Sequence, residues 1–233
     1  GRIVTDLMYK HWDEWVETIP HIFIAPVGSE AITGGKDILE GEPYEAPTKP
    51  FGGAEELSWS PDGKTLAYSS RKKTGMEYSL STNTDIYLYD LASGQIRNIT
   101  EGMGGYDTHP RFSPDGKRIS WISMERDGYE ADLKRLFVQD LKTGQKTFLT
   151  DGFEYDVDEL QWAANSQSLF FLSTKHAEAQ LWEIALKGRK IRQITTGMHD
   201  YTSLDVQGGK ILAGRQSYIE PTDLYLVDVK TGA

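Results

Sequence analysis

The chain has 233 residues, a formal net charge of −10 and no cysteine, and its mean hydropathy is −0.50. That length suffices for one large all-β domain. The absence of cysteine excludes disulfides, thiolate zinc sites and a cysteine nucleophile, no run approaches the roughly 20 apolar residues of a membrane-spanning helix, and the acidic balance argues against a nucleic-acid surface.

The sequence opens at Gly1 rather than at a methionine, and no cleavable signal peptide is expected within it. Between Asp6 and Ile19 the apolar residues Met8, Trp12, Trp15, Val16 and Ile19 recur at helical spacing, and Pro20 ends the run. This pattern predicts one amphipathic helix near the N-terminus. His21 to Pro26 and Ile32 to Leu39 then read as two strands.

From there the sequence repeats. Glu56-Leu-Ser-Trp-Ser-Pro-Asp-Gly-Lys-Thr-Leu-Ala-Tyr-Ser-Ser aligns with Pro110-Arg-Phe-Ser-Pro-Asp-Gly-Lys-Arg-Ile-Ser-Trp-Ile-Ser, and a degenerate copy runs from Leu160 through Asn165 and Ser166 to Ser173. Each copy continues with a second apolar run (Asp85 to Asp90, Leu136 to Asp140, Leu181 to Ile184), a turn, and a segment ending in Thr100, Thr150 or Thr195. Those threonines lie 50 and 45 residues apart, a period that suits a four-stranded propeller blade. In Ser-Pro-Asp-Gly, proline presets φ, Ser and Asp bond nearby amides, and glycine takes the positive φ that closes a hairpin. The strand runs are apolar on both faces, as in Ile86-Tyr-Leu-Tyr89, which fits a sheet covered on both sides. A generic β-sandwich would need no such repeat.

The expected fold is therefore all-β: a partial β-propeller of four-stranded antiparallel blades with one inserted helix. The boundaries are a half blade plus helix over residues 1–53, blades at about 54–103, 104–153 and 154–199, and an incomplete blade over 200–233. Val227-Asp-Val-Lys-Thr-Gly-Ala233 matches the end of Val138-Gln-Asp-Leu-Lys-Thr-Gly-Gln145, so the sequence is expected to stop within the turn before a fourth strand, as part of a longer polypeptide. In an up-and-down blade the Ser-Pro-Asp-Gly and Lys-Thr-Gly turns share one end, and the irregular insertions gather at the other. Variable loops on a repetitive scaffold are the expected seat of binding. Those insertions are acidic and aromatic, with Asp13, Glu14 and Glu17 in the first, Glu125, Asp127, Glu130 and Asp132 in another, and Trp12, Trp15, Tyr78 and Tyr129 among them. Carboxylates grouped over a channel attract an ammonium group.

Several chemistries are absent from the sequence. No Gly-x-Ser-x-Gly elbow occurs, none of the five histidines has ligand spacing, and Gly102-Met-Gly-Gly is no dinucleotide loop. No cofactor or metal is expected, and the chain alone is not expected to catalyse a reaction.

Trp59-Ser-Pro-Asp-Gly-Lys-Thr-Leu-Ala-Tyr followed by Asp85-Ile-Tyr-Leu-Tyr-Asp-Leu resembles the propeller repeat shared by TolB-like proteins and the prolyl oligopeptidase family. Asp6-Leu-Met-Tyr-Lys-His-Trp-Asp-Glu-Trp and Met124-Glu-Arg-Asp-Gly-Tyr-Glu-Ala-Asp resemble the propeller of bacterial serine peptidases of the dipeptidyl-peptidase 5 and acylaminoacyl-peptidase branch. The resemblance implies a propeller that gates access of short peptides to an α/β-hydrolase domain, whose Ser, Asp and His lie outside this sequence. It also implies acidic residues that bind the substrate's amino terminus. The matching positions are Asp13, Glu14 and Glu17, or else Glu125, Glu130 and Asp132 with Tyr129. Its implied partners are a short peptide and the hydrolase domain of the same polypeptide, with no nucleic acid and no membrane, and self-association stays open. The implied location is periplasmic or secreted, a cytoplasmic one not being excluded. The alternative is a TolB-like periplasmic scaffold that binds a protein partner.

Overall fold

The structure is a computed structural model and describes residues 1–5, 7, 9–28 and 34–233. Strands β1 (Lys10–His11) and β2 (Glu14–Trp15) pair with each other, as do β3 (Phe23–Ile24) and β4 (Lys36–Asp37). A 3-10 turn at Ala54–Glu56 leads into a sheet of β5 (Leu57–Trp59), β6 (Thr65–Ser70), β7 (Asp85–Asp90) and β8 (Ile96–Asn98), with a short helix α1 (Gly75–Leu80) between β6 and β7. The next sheet holds β9 (Asp107–Phe112), β10 (Arg118–Ser123), β11 (Arg135–Asp140) and β12 (Lys146–Phe148), and the third β13 (Asp158–Trp162), β14 (Ser168–Lys175), β15 (Glu178–Ala185) and β16 (Ile191–Gln193). Strands β17 (Asp200–Gln207), β18 (Lys210–Ser217) and β19 (Glu220–Asp228) form a three-stranded sheet. In every sheet the strands neighbour one another in chain order, as in a propeller blade.

The helix expected over Asp6 to Ile19 is not formed. Its described part is the β1–β2 hairpin, tipped by Trp12 at φ 52°; Asp6 and Met8 lie outside the described residues. The apolar residues that suggested a helical face do not form a buried stripe: Trp12, Trp15, Val16 and Ile19 are all exposed. A short helix without a packed face is marginal. The hairpin instead gains a cross-strand contact between the Tyr9 and Trp15 rings, 5.9 Å apart, and the Arg2 and Lys10 cations stack over Trp15 at 4.2 and 4.4 Å. Helix α1 lies instead in the insertion between β6 and β7. Of the two strands expected next, Phe23–Ile24 and Lys36–Asp37 pair, whereas Ile32 and Thr33 are outside the described residues.

The chain divides into two compact units. One comprises Gly1–Trp59, Gly63–Pro110 and Glu125–Ala131, and its core joins Ile22, Ile38, Leu39 and Ala46 to Leu66, Tyr68, Tyr87 and Tyr89. The other comprises Ser60–Asp62, Arg111–Met124 and Asp132–Ala233. There Ile122, Leu136 and Val138 pack on Leu160, Leu169, Phe171 and Ile184, while Phe170, Leu172 and Leu181 pack on Tyr201, Leu204, Ile211 and Val227. Phe170 and Phe171 are neighbours in one strand yet serve different clusters. That explains why β14 is apolar at successive positions.

The sequence repeat corresponds to repeated hydrogen bonds. The backbone N–H of Ile86, Leu136 and Leu181, early in the third strand, donates to Oγ1 of Thr100, Thr150 and Thr195 at 2.9, 3.0 and 3.0 Å. The carbonyls of the same three residues accept from Ile99, Leu149 and Ile194 at 2.9, 2.8 and 2.8 Å. The recurrent apolar–threonine pair thus latches the fourth strand onto the third, and the latch threonines are buried. A neutral bond of this kind contributes about 1 kcal/mol, and leaving the buried N–H unpaired costs more.

The expected turns are equally regular. Asp115 Oδ1 accepts from Ser113 Oγ and Lys117 N, and Asn165 Oδ1 accepts from Gln167 N in the degenerate copy. Gly63 and Gly116 both stand at φ 68°, and Ser166 takes φ 58° in their place. Between third and fourth strands, the side chains of Asp90, Asp140 and Asp228 accept from the residues two or three ahead. Leu91, Leu141 and Leu186 each donate to the carbonyl of Lys64, Lys117 or Gln167 at 2.9 Å, so both kinds of turn share one end of each sheet.

Candidate functional site

The irregular parts of the first unit carry most of the residues singled out above. In the hairpin, Trp12 and Trp15 are exposed, as are Asp13, Glu14 and Glu17. Glu17 is engaged by the Arg2 guanidinium at 2.7 Å. Trp12, 75% exposed, meets Phe51, 78% exposed, edge to face at 5.4 Å. Two large aromatic side chains left in water while touching each other form an apolar ledge on the hairpin that also carries Asp13 and Glu14.

Phe51 is presented by the segment 46–56, which is fixed from beneath. Gly52 N donates to the Thr48 carbonyl at 2.7 Å, and a Cβ on Gly52 would stand 2.4 Å from that oxygen, so the turn requires glycine. The Glu56 carboxyl is buried, accepting from Thr48 N at 2.7 Å and from Tyr106 Oη at 3.3 Å. Burial, reinforced by the neighbouring Glu55, pushes this carboxyl up to about 7 in spite of those bonds. Burial and the facing Glu56 in turn raise the Tyr106 phenol.

A second buried carboxylate anchors the other end of this segment. Glu45 accepts from Lys49 N at 3.0 Å and from the Tyr78 hydroxyl of α1, and it pairs with Arg71 at 3.5 Å. Arg71 also donates to the carbonyls of Ser81 and Lys49 and lies 4.0 Å from the Tyr78 ring. One guanidinium therefore ties the β6–β7 insertion to the loop bearing Phe51.

The insertion after β10 is tied to the same region through Asp127. Its carboxylate accepts from Ser81 Oγ at 2.7 and 2.9 Å, from Thr82 N at 2.8 Å and from Asn83 N at 3.2 Å, and Gly128 N donates back to Thr82 Oγ1 at 2.9 Å. Partial burial would raise this carboxyl, but the bonds from Ser81, Thr82 and Asn83 outweigh it and hold the group below the usual carboxylate range. Next to this clamp, Glu125, Tyr129 and Glu130 are exposed, and the Arg126 guanidinium lies 4.1 Å from the Tyr129 ring.

The predicted residues thus divide. Asp13 and Glu14 stand together on the hairpin with Trp12; Glu17 is drawn to Arg2; Glu125, Tyr129 and Glu130 share the loop held by Asp127. Asp132 is buried and belongs to the second unit. Of the acidic linker 151–159, Asp156 accepts from Lys134 N and Asp158 from Lys134 Nζ, which are structural roles. Glu45, Glu56 and Arg71 were not foreseen as determinants of the site, and Asp127, grouped in the sequence with the other insertion carboxylates, is instead spent on holding Ser81 to Asn83; the Asp127-Gly128 dipeptide was the one local signal of a turn there. Among the described residues, no three His, Cys, Asp or Glu side chains could together hold a metal ion, and no helix is long and apolar enough to cross a membrane.

Residues 56–220 match the TolB beta propeller domain family, and the chain belongs to that family. It is 64% identical over 233 residues to dipeptidyl-peptidase 5 of Porphyromonas gingivalis, an overlap of 100% of this chain and 34% of that protein. Identity to dipeptidyl-peptidase 5 of Porphyromonas endodontalis is 58% over 232 residues, again 34% of the relative's length, and to that of Trichophyton schoenleinii it is 26% over 219 residues, or 86% of this chain and 30% of the relative. The chain therefore spans about a third of the length of these relatives. It is a propeller segment of a dipeptidyl-peptidase-like protein, as the two insertion motifs had suggested. Among solved structures, TolB from Acinetobacter baumannii superposes with a TM-score of 0.62 at 22% identity, over 87% of this chain and 46% of that one. Pyrococcus horikoshii acylaminoacyl peptidase gives 0.57 at 19%, over 74% and 25%. At such identities these likenesses establish the propeller fold alone.

Proposed function

We propose that this chain is the substrate-gating propeller of a serine exopeptidase that releases dipeptides, and that its exposed insertions bind the amino terminus of a short peptide. The 64% identity to a dipeptidyl-peptidase 5, sustained over all 233 residues, carries this reading. In this proposal the hydrolytic serine, histidine and aspartate belong to an α/β-hydrolase domain of the same polypeptide. The propeller's part is to admit short chains and to hold the ammonium group so that the second peptide bond falls at the nucleophile. Asp13 and Glu14 supply the negative charge on the hairpin and Trp12 with Phe51 an apolar wall; Glu130 and Tyr129 supply the same pairing on the second insertion. Glu17 contributes less, its charge being shared with Arg2.

Likeness to TolB at 22% identity supports the fold only, so it does not favour the protein-binding scaffold. Two substitutions test the proposal in the full-length peptidase. Glu14→Gln or Glu130→Gln is expected to raise KM for substrates with a free amino terminus by about tenfold, the loss of one charge-assisted contact. Unchanged KM in both variants would sink the amino-terminus anchor.

A further inference from the structure

We propose that the proton on Glu56 latches the turn between Thr48 and Gly52, so that Phe51 is released from Trp12 more readily as the pH rises. The latch is a conformational switch built into the 46–56 segment, and it works whatever the aromatic ledge binds.

Geometry places one carboxyl group under the whole turn. Phe51 lies inside the loop closed by the 2.7 Å bond from Gly52 N to the Thr48 carbonyl. The Glu56 side chain, 1% exposed, sits against both ends of that loop. Its Oε2 accepts from Thr48 N at 2.7 Å, and a Cβ built on Gly52 would stand 2.6 Å from the same oxygen. Water reaches Oε2 only when Thr48 or Gly52 gives way, so solvation of the carboxyl and opening of the turn are one event. Three residues face the group. Thr48 presents its N–H and its buried hydroxyl, Glu55 adds a like charge from the adjacent position, and Tyr106 reaches it at 3.3 Å from the segment before β9. Arg71, the cation of the neighbouring clamp, pairs with Glu45 and acts on the Tyr106 phenol.

An ionised Glu56 would gain one short backbone bond and one long phenol bond against burial and a neighbouring negative charge. The closed turn therefore keeps the proton up to about pH 7, whereas a carboxyl open to water releases it at about 4.5. Because the value is raised in the closed form, closure is fully supported below pH 4.5 and weakens as the pH climbs through about 7. Over that whole span the equilibrium constant for opening grows about 300-fold. Opening breaks the bond from Gly52 to Thr48 and frees Phe51 from the Trp12 ring, 5.4 Å away when closed. A ligand lying on the ledge meets a fixed wall in acidic solution and a yielding one in alkaline solution.

The test is amide hydrogen exchange of the full-length protein, read at single residues by mass spectrometry with fragmentation and corrected for intrinsic rates. Protection of the Thr48 and Gly52 amides should fall about 30-fold between pH 5.5 and 8, the share of the linkage that lies in this window. In Glu56→Gln it should stay level across the same range. In Trp12→Ala it should drop at every pH with an unchanged slope, because the ring contact that supports closure is gone. At each pH both amides should exchange faster than that of Ile86, which is held within the sheet by Thr100. A flat profile in the unsubstituted protein overturns the proposal, even should Glu56→Gln fail to fold. So does a slope that persists in Glu56→Gln, exchange of Thr48 and Gly52 as slow as that of Ile86, or protection indifferent to Trp12→Ala.

Discussion

Replacing Glu56 by glutamine is expected to remove roughly 2–3 kcal/mol of pH dependence from the stability of this protein between pH 5 and 8. The Glu56 carboxyl is buried beneath the 46–56 segment, and burial pushes it from 4.5 up to about 7. Between those two values the native protein keeps a proton that the unfolded chain has released. The stabilisation that this proton represents is therefore full below pH 4.5 and is lost as the pH rises through about 7. Glutamine has the same shape, accepts from Thr48 N through its oxygen and can donate to Tyr106 through its nitrogen. Urea denaturation of both proteins at pH 5 and pH 8 isolates the effect, since every other titrating group cancels in the difference between the two. The native protein should lose more stability than Glu56→Gln on going to pH 8. Parallel behaviour of the two proteins would show that Glu56 titrates near its ordinary value and is not desolvated.

Arg71→Met is expected to cost about 3–5 kcal/mol, the loss typical of leaving one partner of a buried ion pair without its counter-charge. Both side chains are nearly out of water, at 12% exposure for Arg71 and 8% for Glu45. Methionine retains much of the aliphatic bulk but none of the five donors, so the carbonyls of Ser81 and Lys49 lose their partner as well. Glu45→Gln combined with Arg71→Met should recover a substantial part of the loss, because no uncompensated charge then stays buried. Chemical denaturation of the two single variants and the double variant measures this directly. A loss below about 1 kcal/mol for Arg71→Met, which is the range of an exposed pair, would contradict the buried clamp between α1 and the Phe51 loop.

The propeller could be read from the sequence because its determinants are local and repeated. Ser-Pro-Asp-Gly, Lys-Thr-Gly and the apolar–threonine strand ends each specify a bond within a few residues or across one strand pair, and each recurs. Asn165 and Ser166 illustrate how far this extends, since they form the same turn without the proline or the glycine. The N-terminal segment lacked such redundancy. Its helical spacing of tryptophans was genuine, but spacing reports a helix only when one face is buried, and here Trp12, Trp15 and Ile19 all face water.

The candidate site was legible to the extent that its carboxylates and aromatics are unusual in insertions. Its organisation was not, because it rests on contacts far apart in sequence. Asp127 reaches Ser81 to Asn83 across 44–46 residues, and Phe51 reaches Trp12. No periodicity or motif encodes such pairs. Nor could composition separate Asp13 and Glu14, which stay exposed, from Asp127, whose carboxylate is consumed by the clamp.

The amino-terminus anchor is tested most directly by product inhibition of the full-length peptidase, using one dipeptide with its amine either free or acetylated. In the unsubstituted enzyme the free dipeptide should inhibit about tenfold more strongly than the acetylated one, and in the Glu14→Gln/Glu130→Gln double variant that difference should disappear through weaker binding of the free form alone. An undiminished preference for the free amine in the double variant would place the ammonium group elsewhere and contradict the role assigned to this propeller.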